Sequence, residues 1–375
     1  MKTLKDKVYI GAIDGLRGVA ILMVIYQHLL ATPISNWLTR YGGFSYPYIV
    51  ANGWMGVGLF FVLSGFVLAL PYFTNARRLE TKNDFRAYYQ HRAMRLLPLF
   101  VFMAIISYLV GAARGYDHLR SLALVLSTGS MFTASEFFPK INGPFWSLMI
   151  EIWFSVLFPF LVLALQRYHW AKVVIPTLLI AISWRIAGAY FPFVDTHINP
   201  VKDFILARLD DFLVGMLIAY CYARQTLPVH RSGLMFVAGW LSIAVTAFLW
   251  DLRMQNLIPV VCVAFLNNLS QIGFGLILIS VLQPGWPRAW LSVWALRVLG
   301  AMCFSVYCWH SLLITPVLWS NPYDLELQLQ FWVSLILFSA LTYRFIEFPQ
   351  ERSLAKLFRL DAVEGDAKLE RPHAS

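Results

Sequence analysis

The sequence has little charge for its length. Only 13% of its 375 residues are Asp, Glu, Lys or Arg, whereas 59% are hydrophobic. A soluble domain carries about 25% charged residues, so this composition excludes an ordinary soluble protein. Aromatic residues make up 16% of the chain and include 14 Trp, which suits interfacial belts and packed membrane spans. The composition therefore predicts a multi-pass membrane protein.

Cysteine is also scarce. The four cysteines, Cys221, Cys262, Cys303 and Cys308, lie in apolar stretches and show no CxxC spacing. This pattern favours neither a disulfide framework nor a zinc site, and we expect no metal centre. The formal net charge of +10 does not indicate nucleic-acid binding either, because the basic residues follow the loops of a membrane topology.

Ten apolar runs are long enough to cross a bilayer: residues 11–32, 50–73, 96–113, 146–166, 172–191, 203–222, 233–250, 257–282, 296–319 and 329–347. Residues 119–132 are apolar but short, and we interpret them as a re-entrant or interfacial piece. With the N-terminus inside, most of the 30 Lys and Arg fall in cytoplasmic segments, as the positive-inside rule requires. The sequence thus predicts an all-α, polytopic membrane helix bundle of about ten transmembrane helices with both termini cytoplasmic.

The charged residues near the two ends of the chain indicate whether each end belongs to the membrane domain. Three lysines before the first apolar run imitate a secretory signal, but Asp14, Arg17 and His28 argue against cleavage, so we interpret the segment as helix 1. We expect one membrane domain over residues 1–350. Residues 351–375 are expected to form a charged cytoplasmic tail that is partly disordered.

Helix 1 carries two costly residues, Arg17 and His28. An ionisable group at the centre of a membrane helix costs about 2.5–3.5 kcal/mol on insertion scales, so such groups are retained mainly where they act or are paired. Their separation is roughly three helical turns, so both share one face about 16 Å apart. Burial disfavours a charged imidazole, which leaves His28 free to act as a general base, with Asp14 and Arg17 in support. The alternative is a histidine held by a packing hydrogen bond.

The fourth run opens with Trp146, Ser147 and Glu151. Ser147 and Glu151 are four residues apart, so they share a helix face. A helix start at Pro144 and Ser147 places Glu151 about one turn inside the outer boundary. A carboxylate there would orient and polarise His28. The alternative is a structural bond from Glu151 to another helix.

Arg92 and Arg95 lie three residues apart at the cytoplasmic mouth, on one predicted helix face. Guanidinium pairs suit phosphate because they bind it bidentately. Topology offers a second explanation, since the same loop must be positively charged in any case.

Weaker signals lie in the later runs. Arg208, Asp210 and Asp211 are expected to form ion pairs with one another, with Gly215 allowing close helix contact. His310 either lines a cavity or serves packing. We interpret Tyr343 to Glu347 as the cytoplasmic end of a helix, which Pro349 terminates.

Together these motifs resemble membrane acyltransferase family three, the polysaccharide O-acetyltransferases of bacterial envelopes. The resemblance runs from Ile13 to Pro349, and seven motifs follow in the family's order: Arg17-x10-His28, Phe60-Phe-Val-Leu-Ser-Gly65, Arg92-x-x-Arg95-x-x-Pro98, Trp146-Ser-Leu-x-x-Glu151, Asp211-Phe-x-x-Gly215, Tyr307-x-x-His310 and Tyr343-x-x-Ile-Glu347.

The resemblance implies that an acyl group, usually acetyl, moves from cytoplasmic acetyl-CoA to a carbohydrate hydroxyl across the bacterial inner membrane. Acetyl-CoA would be a co-substrate, with no permanently bound cofactor. The resemblance assigns Arg17 and His28 to catalysis and Arg92 and Arg95 to the acyl donor. Larger members add a periplasmic esterase-like domain; without one, this membrane domain is expected to complete the transfer or pass its product to a polysaccharide-assembly partner.

Several alternatives stay open. Intramembrane ionisable residues such as His28, Glu151, Arg208 and Asp211 also suit a proton-coupled transporter, although no inverted repeat supports one. The acceptor is a polysaccharide, a glycolipid, another lipid or the cell wall, and the acyl group is acetyl or succinyl. The transfer is direct or passes through an acyl-His28 intermediate. The oligomeric state does not follow from the sequence.

Overall fold

A computed structural model describes residues 10–42, 50–190, 199–228, 231–351 and 353–357, and these ranges contain helices but no β-strand. Most of the tail expected over 351–375 lies outside the described residues. The α-helices are α1 (Gly11–Leu29), α2 (Ala31–Gly42), α3 (Gly56–Phe73), α4 (Lys82–Ala113), α5 (Leu119–Leu126), α6 (Phe145–Arg167), α7 (Ala171–Tyr190), α8 (Ile205–Ala223), α9 (Ser232–Met254), α10 (Val263–Val281), α11 (Trp286–Leu291), α12 (Trp294–Ala301), α13 (Cys303–Leu313), α14 (Pro316–Ser320), α15 (Leu325–Thr342) and α16 (Leu354–Leu357).

Eight helices in the described ranges are long and apolar enough to cross a membrane, and a ninth span arises if the bent pair α12–α13 counts as one. The helix α8 coincides with the predicted run 203–222 but carries Arg208, Asp210 and Asp211, which lower its hydropathy. Each of the ten predicted runs therefore contains a helix. The all-α polytopic bundle is confirmed, while the side on which the termini lie stays a prediction.

The run 296–319 is not one straight span, contrary to the sequence prediction. Its two halves, α12 and α13, meet at Met302 at an angle of 78°. The helix α12 packs along α1, whereas α13 packs on α15. The chain bends because its two apolar halves cover different neighbours.

Residues 119–132 form the short helix α5 and a 3-10 turn over Gly129–Phe132. Eight helical residues are about 12 Å long, which is too short for a bilayer core of about 30 Å. The segment therefore does not span, in agreement with the interpretation from sequence.

Glycines bring two helix pairs into backbone contact. A Cβ on Gly65 would lie 2.0 Å from the Phe212 carbonyl oxygen, and one on Gly215 would lie 1.9 Å from that of Val62. The close contact predicted at Gly215 is thus confirmed between α3 and α8. In the same way a Cβ on Gly300 would lie 1.7 Å from the Asp14 carbonyl oxygen, so α12 holds the helix that carries Arg17 and His28.

The N-terminal end of α6 is buried inside the helix bundle. Asn142 precedes this helix, is buried, and donates to Ser107 Oγ and the Cys308 carbonyl oxygen at 3.2 Å each. As a consequence, the Glu151 side chain forms an ion pair with Arg92. Arg92 lies 21 residues before Ala113, the last residue of α4, which is about 30 Å along the helix axis. Glu151 therefore lies beside the first third of α4, while its depth relative to the outer boundary of the membrane stays a prediction.

Candidate active site

Four charged residues from three helices line a cavity of about 240 Å³, here called the arginine cavity. They are Arg17 of α1, Arg92 and Arg95 of α4, and Glu151 of α6. The spacing of Arg92 and Arg95 does place them on one face, as predicted. Three cations therefore converge with one carboxylate inside the bundle.

Arg92 is fixed in this cavity by two hydrogen bonds. Its Nη2 donates to Glu151 Oε1 at 2.6 Å, and its Nε donates to Ser155 Oγ at 2.8 Å. Ser64 Oγ donates to the same Glu151 oxygen at 3.0 Å. Arg92 Nη1 makes no hydrogen bond to the described part of the chain, so the guanidinium is held in position with donors left for a ligand.

Arg95 is held by Glu347, a residue that sequence reasoning assigned to a helix end. The Glu347 side chain is fully buried, pairs with Arg95 and accepts from Ser305 Oγ at 2.5 Å. Glu347 is the last residue of a π-helical turn over Tyr343–Glu347, and such turns occur frequently at functional sites. Phe348 covers Arg95, with its ring centroid 4.8 Å from the guanidinium carbon.

Arg17 is the least constrained of the three cations. It pairs with Asp14, one helical turn earlier, at 3.8 Å, and its side chain is 24% exposed. Asp14 itself is buried. Asp14, predicted as a supporting residue of His28, thus contacts Arg17, and its role at His28 stays a prediction.

His28 lines a second cavity of about 290 Å³, here called the histidine cavity. Three indole rings, those of Trp54, Trp146 and Trp319, line it together with Gln27. Aromatic walls with a few polar groups are typical of small-molecule sites. Trp146, predicted as a supporting residue, therefore lies beside His28.

One wall separates the two cavities, and Tyr307 and Val57 line both. The Tyr307 hydroxyl lies 2.6 Å from Ser147 Oγ and donates to the Pro144 carbonyl oxygen at 3.2 Å. Ser147 lines the arginine cavity, whereas its neighbour Trp146 lines the histidine cavity. The start of α6 thus contributes to both chambers and to the wall between them.

The structure does not join Glu151 to His28, contrary to the predicted pairing. No hydrogen bond or ion pair links them in the described ranges, because Glu151 bonds to Arg92 and Ser64 in the arginine cavity. His28 faces the other side of the Tyr307 wall. His28 instead lies beside His310, with ring centroids 5.2 Å apart.

Six charged residues form a buried cluster beside the histidine cavity. Arg185 makes a two-bond pair with Asp210, at 3.0 and 2.8 Å. Asp203 pairs with Arg208 and with Lys202. Arg208 also contacts Asp211 at 3.4 Å, which confirms the predicted pair. Sequence reasoning missed Arg185, although a charge inside the run 172–191 was the signal that could have found it.

The described residues contain no group of three or more His, Cys, Asp or Glu placed to hold a metal ion. The polar groups that line the two cavities include imidazole, guanidinium, carboxylate, hydroxyl, amide and thiol groups.

The helices and their two polar chambers define a multi-pass membrane protein with ionisable groups gathered inside the bundle. The chain belongs to the acyltransferase family that its motifs resemble, since the family model described as "Acyltransferase domain" matches residues 10–343.

Curated relatives are similar over most of this chain. The protein named "Putative peptidoglycan O-acetyltransferase YrhL" of Bacillus subtilis is 29% identical over 91% of the chain and 55% of its own length. The O-acetyltransferase OatA of Staphylococcus aureus is 24% identical over 93% of the chain and 58% of its own length. The peptidoglycan O-acetyltransferase OatA of Listeria monocytogenes is 24% identical, over 92% and 56%. The chain thus spans little more than half the length of these relatives. No solved structure gave a significant match.

Proposed function

We propose that this protein is an integral-membrane O-acyltransferase of the bacterial cytoplasmic membrane. It moves an acyl group, in our proposal acetyl, from cytoplasmic acyl-CoA to a hydroxyl of an envelope carbohydrate. One observation carries the proposal: helix α1 presents Arg17 to one cavity and His28 to another, and the two cavities share the Tyr307 wall. Family membership supports acyl transfer as the chemistry.

The arginine cavity is the proposed donor site. Arg92 and Arg95 are each held by a carboxylate and keep guanidinium donors unused by the described residues. Such donors suit the phosphates or carbonyl oxygens of an acyl-CoA. Arg77, Arg78 and Arg86 are exposed near the start of α4 and add a basic entrance that attracts a polyanionic donor. Glu151 serves in this scheme as the residue that positions Arg92.

His28 is the proposed general base. It takes the proton of the acceptor hydroxyl, whose oxygen attacks the thioester carbonyl carbon. The carbon–sulfur bond then breaks, the acyl group stays on the carbohydrate oxygen, and CoA leaves as a thiolate that takes up a proton. Base catalysis of this kind is worth about 10²–10⁴-fold. Arg17 stabilises the developing negative charge from the donor side.

The histidine cavity is the proposed acceptor site. Its indole rings supply broad amphipathic faces, and Gln27 supplies an amide, which together suit a sugar ring. The names of two of the relatives above specify peptidoglycan, so we propose a glycan of the envelope, with peptidoglycan as the first acceptor to examine. Assembly proteins of that glycan would be its partners.

Mass analysis of envelope glycans tests this proposal. A deletion strain should lose O-acyl groups, and the wild-type gene should restore them. His28→Ala should fail to restore them, whereas His169→Ala, which alters an exposed histidine, should succeed. Unchanged O-acylation in the deletion strain would refute the proposed activity, and full restoration by His28→Ala would refute the role of His28 as the base.

A further inference from the structure

His310 is buried behind His28, and its two ring nitrogens have different surroundings. The side chain is fully buried, whereas His28 borders the cavity. His310 Nδ1 lies 2.6 Å from the Tyr307 carbonyl oxygen. Because a carbonyl oxygen only accepts, Nδ1 must carry the proton. In a neutral imidazole this leaves the lone pair on Nε2.

The second nitrogen, Nε2, has no hydrogen-bond partner in the described part of the chain. His310 Nε2 is buried and makes no hydrogen bond there. A buried acceptor without a partner costs free energy, so native structures rarely keep one without use. The His28 ring lies beside it, with centroids 5.2 Å apart and planes inclined at 46°. Because each ring nitrogen lies about 1 Å from its ring centroid, a His28 N–H that points at Nε2 across this separation comes within the hydrogen-bond distance of about 3 Å.

We propose that His310 is a positioning residue, whose Nε2 accepts a hydrogen bond from His28. That bond fixes the tautomer of His28, so that the opposite nitrogen presents its lone pair to the histidine cavity. It also holds the ring while His28 takes the hydroxyl proton. In acid–base triads a carboxylate orients the histidine that acts as the base. In this proposal the neutral imidazole of His310 takes the place of that carboxylate. A neutral partner adds no net charge to the membrane interior.

The sequence spacing produces this arrangement. His310 follows Tyr307 by three residues on α13, so its Nδ1 reaches the carbonyl oxygen one turn back. Tyr307 also forms the wall between the cavities. The same short motif therefore builds the wall and sets the tautomer of the residue behind the proposed base. This inference rests on the proposed function of His28.

Three substitutions separate the two nitrogens of His310. Asn reaches the Nδ1 position and keeps the bond to Tyr307 but not the acceptor near His28. Gln reaches the Nε2 position and keeps that acceptor. Phe keeps a ring of similar shape and has neither group. Cys308→Ala, at a fully buried neighbour on the same helix, controls for disturbed packing.

The test measures transfer of label from [14C]acetyl-CoA to endogenous glycan in inverted membrane vesicles, with thermal unfolding of each purified variant alongside. We expect His310→Phe and His310→Asn to lower the maximal rate roughly 10- to 100-fold while the KM for acetyl-CoA stays within about twofold. His310→Gln should recover most of the rate, and Cys308→Ala should keep it.

Two results would overturn the inference. One is a rate for His310→Asn that equals or exceeds that of His310→Gln, because the bond to Tyr307 would then be what matters. The other is a near-normal rate for His310→Phe. Failure of the proposed function looks different, since the wild-type protein itself would then transfer no label, or His28→Ala would transfer as much.

Discussion

The hydroxyls of Tyr307 and Ser147 meet at 2.6 Å in the wall between the arginine cavity and the histidine cavity. Tyr307 faces both chambers, and the Phe60 ring packs edge-on against it with centroids 6.2 Å apart. The proposed donor and acceptor sites are therefore separated by side chains rather than by backbone. A wall of that kind limits access of water to the thioester.

Opening this wall should uncouple the donor from the acceptor. We expect Tyr307→Ala to raise the release of free acetate from acetyl-CoA several-fold and to lower transfer to glycan, because water then enters from the histidine cavity. Tyr307→Phe is the matched control, since it keeps the ring and loses only the hydroxyl bonds. Equal acetate release by Tyr307→Ala and the wild type would show that the ring is not the barrier.

Binding of the acyl donor at Arg92 should require the planar geometry of a guanidinium group. We expect Arg92→Lys to raise the KM for acetyl-CoA about tenfold, because an ammonium cannot keep the bonds to Ser155 and Glu151 while binding a ligand. Arg114→Lys, at an exposed position directly after the end of the same helix, should leave the KM unchanged. Initial rates over a range of acetyl-CoA concentrations give the answer, and an unchanged KM for Arg92→Lys would remove it from the donor site.

The buried pair of Arg185 and Asp210 should matter for stability. Removing one member of such a pair costs about 3–5 kcal/mol, because it leaves an uncompensated charge. We therefore expect Arg185→Met to lower the thermal unfolding temperature strongly in detergent. Arg114→Met, at an exposed position, should have little effect. A similar temperature for both variants would contradict the importance of the pair.

The contact between α3 and α8 should not tolerate a methyl group. Overpacking costs about 1–3 kcal/mol, and a Cβ on Gly215 would meet the Val62 carbonyl oxygen at 1.9 Å. Gly215→Ala should therefore lower the unfolding temperature. Gly111→Ala is the control, because the nearest atom there is a His118 side-chain carbon at 3.8 Å. If Gly215→Ala unfolds at the wild-type temperature, the backbones are not in contact.

Local pattern was enough to predict the helices. Each apolar run contains a helix, and Arg17 and His28, the two costly residues of the first run, do line cavities. Hydropathy reports only how long a run can continue in lipid. It could not show that the run 296–319 bends at Met302, since that bend depends on which neighbour each half covers.

The sequence alone could not show which residues the charged side chains pair with. Glu151 was expected beside His28, and the depth of α6 in the bundle instead brings it to Arg92. Glu347 was read as part of a helix end, and it holds Arg95. Such pairs join residues far apart in the chain, so spacing along one helix cannot specify them.

The central claim is that His28 is the base for transfer of an acyl group from acyl-CoA to an envelope glycan. The most direct measurement follows label from [14C]acetyl-CoA into glycan, using vesicles that contain the wild-type protein, His28→Ala or the control His169→Ala. The account predicts label in glycan for the wild type and for His169→Ala, and only background for His28→Ala in correctly folded protein. Label incorporated by His28→Ala at the wild-type rate would contradict it.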